Sequence, residues 1–305
     1  MNSASAWDFP ALPAKDRTAA GWQPPRKRLE HANMTDKPEE IRHSTGFAPI
    51  ADMRAAMTFL TRFPVGGRHR ALDACAWAFP IAGIAVGVTG GAVFWLAGWM
   101  GLPPWIAAFL TLTATALVTG ALHEDGLADA ADGLGAGGSV DRKLEIMRDS
   151  RIGGYGALAL MLATGIKAAA IASFLPGLSG ATAILAVHIL SRAILPGVMA
   201  ALPPASASGV AASVGRPRLG AALVALTLGA GSAIGLMGLC AGLVALAAVV
   251  ASALVFGLLL RRSLGGYNGD TIGLLEQLSE IAIMLALLIA AASFNILVQT
   301  GAAFG

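Results

Sequence analysis

The chain has 305 residues, 56% of them hydrophobic and only 13% charged, with 38 glycines. Soluble domains carry about 25% charged residues, so the deficit points to a lipid bilayer as the solvent and excludes an ordinary water-soluble domain. The 21 basic and 18 acidic residues nearly cancel, so no nucleic-acid partner is indicated.

Residues 1–50 mix Pro, Lys, Arg, Glu and Asp and hold no apolar core of a cleavable signal. They are expected to form a disordered polar tail, leaving 51–305 as a membrane-embedded domain. Residues 52–63 read as a short amphipathic segment lying at the interface. A bilayer-crossing helix needs about 20 mostly apolar residues. The segments 74–100, 104–122, 154–175, 181–202, 219–238, 239–260 and 280–299 meet that requirement. The predicted fold is therefore all-α, a polytopic transmembrane helix bundle of about seven spans. The apolar run 219–260 is too long for one crossing and needs a hairpin near Gly235–Gly242. Gly83, Gly87, Gly90 and Gly91 in the first span suit close helix packing, since association in lipid relies on van der Waals contact. Cys75 and Cys240 lie in apolar stretches without metal or disulfide spacing and are expected to be buried small side chains.

Basic residues set the orientation. Arg62, Arg68 and Arg70 precede the first span; Arg142, Lys143, Arg148 and Arg151 follow the second; Arg216 and Arg218 follow the fourth; Arg261 and Arg262 follow the sixth. An alternating path puts all four clusters on one side, and the opposite loops carry no basic residue. The expected location is the cell inner membrane, with the N-terminus and the charged motifs facing the cytosol.

Asp125, Asp129 and Asp132 are spaced i, i+4, i+7 and share one face of a helix. Like charges at i, i+4 destabilise a helix by about 0.2–0.5 kcal/mol per pair, and packing has no use for three carboxylates at the end of an apolar span. A divalent cation does: Mg²⁺ takes oxygen ligands and is commonly shared between carboxylates and substrate phosphates. This predicts an interfacial acidic helix holding Mg²⁺ through Asp125, Asp129 and Asp132. His123 is a weaker candidate. Ser139 is the expected N-cap of the next, surface-lying helix. Arg148, Asp149 and Arg151 cluster after it, and guanidinium groups beside a carboxylate-bound metal suit a pyrophosphate. Lys167, His188, Ser191 and Arg192 lie within apolar spans, where a charge is costly unless paired; Arg192 is expected to face the bundle interior and meet an acidic or phosphate partner. The Gly-rich turn 265–273 brings Asn268 and Asp270 before the last span, with Glu276 and Glu280 following.

Residues 123–134 (HEDGLADAADGL), 144–156 (LEIMRDSRIGGYG) and 266–273 (GYNGDTIG), with 59–65 (FLTRFPV), resemble the cobalamin synthase family, the adenosylcobinamide-GDP ribazoletransferases. The likeness runs from about residue 52 to the C-terminus. It implies a Mg²⁺-dependent inner-membrane enzyme that joins adenosylcobinamide-GDP to α-ribazole, or to α-ribazole 5′-phosphate, and releases GMP. Asp125, Asp129 and Asp132 would hold the metal, and one of them or Asp149 would accept the acceptor's proton. Arg148, Arg151, Arg192, Asn268 and Asp270 would contact the substrate. The lipid bilayer is one partner; a second copy of the chain or other cobamide-assembly enzymes are further ones to expect.

Two other readings compete. A CDP-alcohol phosphotransferase also sets aspartates at a membrane surface, but its motif continues through Ala-Arg to two further aspartates, whereas Asp132-Gly133 here runs into Leu-Gly-Ala-Gly. An ion-coupled transporter would show inverted repeats and charges at the bilayer midplane; no repeat is visible, and the charged motifs gather at one face.

Overall fold

The computed structural model describes residues 48–66, 72–206 and 215–302, with side chains as far as residue 293. Residues 1–47 of the expected tail, and Arg68 and Arg70 of the first basic cluster, lie outside the described residues. No strand occurs among the described residues; an isolated bridge pairs Pro204 with Tyr267.

The helices follow in chain order as α1 (Pro49–Leu60), α2 (Leu72–Cys75), α3 (Phe79–Trp99), α4 (Pro104–Thr119), α5 (Leu122–Gly135) and α6 (Val140–Met147). Then come α7 (Gly154–Ala172), α8 (Leu178–Ala193), α9 (Leu195–Ala201), α10 (Leu219–Met237), α11 (Leu239–Ser263) and α12 (Gly269–Ala302). Among the described residues six stretches are long and apolar enough to cross a membrane, or seven if the bent pair α4–α5 counts as one. The polytopic bundle is thus borne out, and so is the hairpin, which turns at Gly238 with φ +82°.

Three boundaries or environments differ from expectation. The last span begins at Gly269, not residue 280, because Glu276 and Glu280 are buried inside the bundle and do not interrupt the helix. Residues 52–63 are seated against the bundle: Asp52, Ala56 and Leu60 are buried, and Trp77 Nε1 donates to Asp52 Oδ2 at 3.1 Å. Cys75 is buried but Cys240 is exposed, because an outward-facing position on a spanning helix meets lipid, which an apolar thiol tolerates.

The centre of the bundle is α8–α9, whose most apolar window is 78% buried. It reaches that position because α3 presents glycine to it. A Cβ on Gly87 would come within 2.8 Å of Leu185 Cα, and one on Gly91 within 2.8 Å of Ala181 O. Gly83 packs on the His188 carbonyl in the same way, while Gly90 faces Thr115 of α4. The expected small-residue packing therefore has a defined partner.

Between α4 and α5 the chain turns by 91°. Gly120 (φ +67°) and Ala121 (φ +57°) are both left-handed there, which ends one helix and starts the next at right angles. The corner sends α5 across the end of the bundle, packed on α12 and α7.

Candidate active site

On α5 the three aspartates share a face, as their spacing requires, but not an environment. Asp125 is exposed, Asp129 half-buried and Asp132 buried. Asp132 accepts from Gly153 N at 2.7 Å and from Gly156 N at 2.8 Å. Both N–H groups belong to the start of α7, whose first turn has no acceptor of its own, so Asp132 caps that helix from a distance in sequence. A side chain at Gly153 or Gly156 would collide with its carboxylate. Asp125 and Asp129 form no ion pair among the described residues.

The start of α12 is held against the same face. Gly126 packs on it so closely that a Cβ would meet Asp270 O at 2.9 Å and Gly273 Cα at 3.2 Å. Asp270 thereby comes within electrostatic range of Asp129 and Asp125. Asn268 caps α12: its Oδ1 accepts from Thr271 N at 2.9 Å, and its Nδ2 donates to Asp270 Oδ2 at 2.9 Å.

Cations border this acidic face. Arg148, which follows the Ser139-capped α6, donates to Ser206 Oγ at 3.4 Å and is within electrostatic range of Asp270. Arg62 shares a groove with Asp125 and passes over Gly120, where a Cβ would strike its guanidinium. Sequence reasoning used Arg62 only for orientation; no local signal in the chain pairs it with Asp125. Arg151 is bound to Asp149, with Nη2 to Oδ2 at 2.7 Å. Hydrogen bonds from the Arg151 side chain and backbone lower the Asp149 pKa.

Arg192 is not on that face. It is buried on α8 with Nη1 2.6 Å from Glu276 Oε1 and 3.1 Å from Glu280 Oε1, both on α12. Lys167 Nζ on α7 lies 2.6 Å from Glu280 Oε2, and Gln277 Nε2 donates to Glu124 Oε1 at 3.2 Å. At 1.5 Å per residue Glu276, Glu280 and Lys167 sit about 10, 16 and 20 Å along α12 and α7 from the near ends of those helices. The expectation that charge gathers only at one face is corrected accordingly: four charged side chains meet inside the bundle, tolerated because opposite signs pair. Sequence reasoning missed Glu276 and Glu280 as partners. Their i, i+4 spacing in an apolar run, answered by Arg192 and Lys167 in two others, was the available signal.

Among the described residues, His188, Glu276 and Glu280 are grouped closely enough to hold a metal ion. Lys167 and Arg192 already supply positive charge to those carboxylates, so the donor set does not need one. No three of Asp125, Asp129, Asp132 and Asp270 bring ligand atoms within 4.8 Å of one another.

The family pattern described as cobalamin-5-phosphate synthase matches residues 52–288. The chain belongs to that family. Curated relatives named adenosylcobinamide-GDP ribazoletransferase agree with it. The one from Bradyrhizobium diazoefficiens is 43% identical over 249 residues, covering 77% of this chain and 92% of its own. That from Mesorhizobium japonicum is 42% identical over 267 residues, covering 86% and 98%. That from Sinorhizobium medicae is 44% identical over 252 residues, covering 78% and 96%. No solved structure matches the chain. The matched span of this cobalamin synthase family member takes in the acidic face on α5, Arg148, the buried cluster and Asp270.

Proposed function

We propose that the chain transfers the adenosylcobinamide-phosphate group of adenosylcobinamide-GDP to α-ribazole or its 5′-phosphate, releasing GMP and forming adenosylcobalamin or its 5′-phosphate. Family membership supports the reaction. The observation that ties it to this site is that, among the described residues, Asp125 and Asp129 carry no ion pair while Asp270, Arg62 and Arg148 stand around them.

Mg²⁺ suits the donor set. It binds through one or two carboxylates and completes its shell with water and substrate phosphate, and Asp125 and Asp129 offer two carboxylates with open lone pairs. Asp132 supports α7 and holds the acidic helix in place. When bound, the ion would neutralise pyrophosphate charge and stabilise the leaving GMP oxygen. Arg62 and Arg148 bind the remaining phosphate oxygens. Because a 5′-phosphorylated acceptor has its 5′ oxygen esterified, the attacking group is a secondary ribose hydroxyl. Its oxygen forms the new bond to the cobinamide-side phosphorus as the bond to GMP breaks. Asp149 is held by Arg151, which makes it the weaker base. The proton of the hydroxyl therefore passes to Asp270. We place the active face in the cytosol at the inner membrane, on the strength of the basic clusters flanking the same ends of the spans.

Purified protein in nanodiscs, given adenosylcobinamide-GDP and α-ribazole with and without Mg²⁺, tests the reading. Metal-dependent GMP release with cobamide formation is expected. A folded, lipid-supplied sample that releases no GMP would overturn it.

A further inference from the structure

A cavity of about 200 Å³ opens beside Asp125 and Asp270. Its walls are apolar: Phe59 and Phe79, stacked with ring centroids 6.1 Å apart, together with Leu195 and Met199. His123 lines the same cavity, is only 3% exposed, and its Nε2 has no partner among the described residues. The other ring nitrogen decides where its hydrogen sits. Nδ1 lies 3.4 Å from Arg192 Nη2 and 3.7 Å from Glu276 Oε2, the latter beyond hydrogen-bond reach, and a guanidinium nitrogen offers only N–H donors. Nδ1 therefore presents its lone pair, and Nε2 carries the hydrogen. A buried N–H without an acceptor is costly, and a ligand in the adjoining cavity that brings an acceptor to Nε2 would relieve that cost.

We propose that this cavity receives the benzimidazole ring of α-ribazole, with His123 Nε2–H donating to the ring nitrogen that is not glycosylated. The inference rests on the transferase reading above. The ring is a flat, apolar bicycle with a single in-plane lone pair, and the cavity offers aromatic and aliphatic walls with a single buried donor. The guanine of the leaving group carries several donors and acceptors, and most would be left unpaired against these walls. A corrin macrocycle is too large, since the cavity is smaller than the roughly 300–1,000 Å³ of pockets for drug-sized ligands. With the base seated here, the ribose emerges at Asp125 and Asp270, which line the same cavity. The acceptor hydroxyl is thereby delivered to the acidic face, and the cavity determines which base enters the product.

The test compares α-ribazole with the indole riboside of the same configuration, in which C–H replaces the free ring nitrogen. Initial rates of GMP release are measured with the full chain in nanodiscs at saturating adenosylcobinamide-GDP. Wild type should favour α-ribazole at least tenfold in kcat/KM, and His123→Ala should narrow that preference to within twofold. Equal use of both acceptors by wild type, or an unchanged preference in His123→Ala, overturns the proposal. Should His123→Ala fail to fold, calorimetric titration of wild type with each riboside gives the same comparison, with at least tenfold weaker binding of the indole expected and equal binding overturning it. Leu195→Phe, which fills the cavity, should raise the KM for α-ribazole at least tenfold with the KM for adenosylcobinamide-GDP within twofold; the reverse pattern overturns it. GMP release with neither acceptor sinks the transferase reading and this subsite together, whereas equal release with both sinks the subsite alone.

Discussion

Arg192 on α8 and Glu276 on α12 form a 2.6 Å ion pair in the interior of the bundle, with both side chains at most 2% exposed. Breaking a buried pair by removing one partner costs about 3–5 kcal/mol, while replacing both by apolar groups is often neutral. Arg192→Leu should therefore lower the unfolding midpoint sharply in detergent, and Arg192→Leu/Glu276→Leu should recover much of the loss. A single variant as stable as wild type would contradict the pairing.

Asp129 and Asp132 are predicted to separate function from stability. Asp129→Ala removes an unpaired carboxylate and should reduce GMP release at least about 100-fold, the equivalent of about 3 kcal/mol of transition-state charge stabilisation. Its unfolding midpoint should match wild type. Asp132→Ala strands the Gly153 and Gly156 N–H groups and should cost about 0.5–2 kcal/mol as a lost helix cap. Equal midpoints for the two variants would remove the distinction.

Gly126 controls the distance between Asp125 and Asp270. Gly126→Val must push α5 off the start of α12, where a Cβ already meets Asp270 O at 2.9 Å. Overpacking of this kind costs about 1–3 kcal/mol. Turnover should fall with stability, and a fully active, fully stable Gly126→Val would show that the close approach is dispensable.

Ala121 holds φ +57° at the α4–α5 corner. The left-handed conformation costs an L-residue about 1–2 kcal/mol that glycine avoids. Ala121→Gly should stabilise the fold slightly, by no more than about 1 kcal/mol after the added chain entropy, read as a small rise in the unfolding midpoint. A clear fall would mean that the methyl group packs productively.

Chelation separates the acidic face from the buried cluster. EDTA should stop GMP release, Mg²⁺ should restore it, and the unfolding midpoint should not move, because Lys167 and Arg192 already balance Glu276 and Glu280. A large fall in midpoint with EDTA would place a structural metal at His188, Glu276 and Glu280.

Hydropathy made the spans legible, because the transfer free energy of an apolar run adds up residue by residue along the chain. The helical face shared by Asp125, Asp129 and Asp132, the Ser139 cap and the glycines of α3 were legible for the same reason: each depends on neighbours within a turn or two. Where a charge was repaid by a distant partner, local reasoning failed. Glu276 and Glu280 displaced the start of the last span because hydropathy counts their cost but not their pairing with Arg192 and Lys167. Asp132 reads identically to Asp129 until α7 is placed against it.

The sequence by itself determined an all-helical membrane protein, its family, and three aspartates on one helical face. Only the tertiary structure decided that Asp132 caps α7, that Arg192 belongs to a buried ion-pair cluster and not to the acidic face, and that Asp270 stands beside Asp125. It also created the cavity at His123. The physical reason is that burial and long-range pairing decide what a polar group can do, and both are properties of helices brought together across the chain.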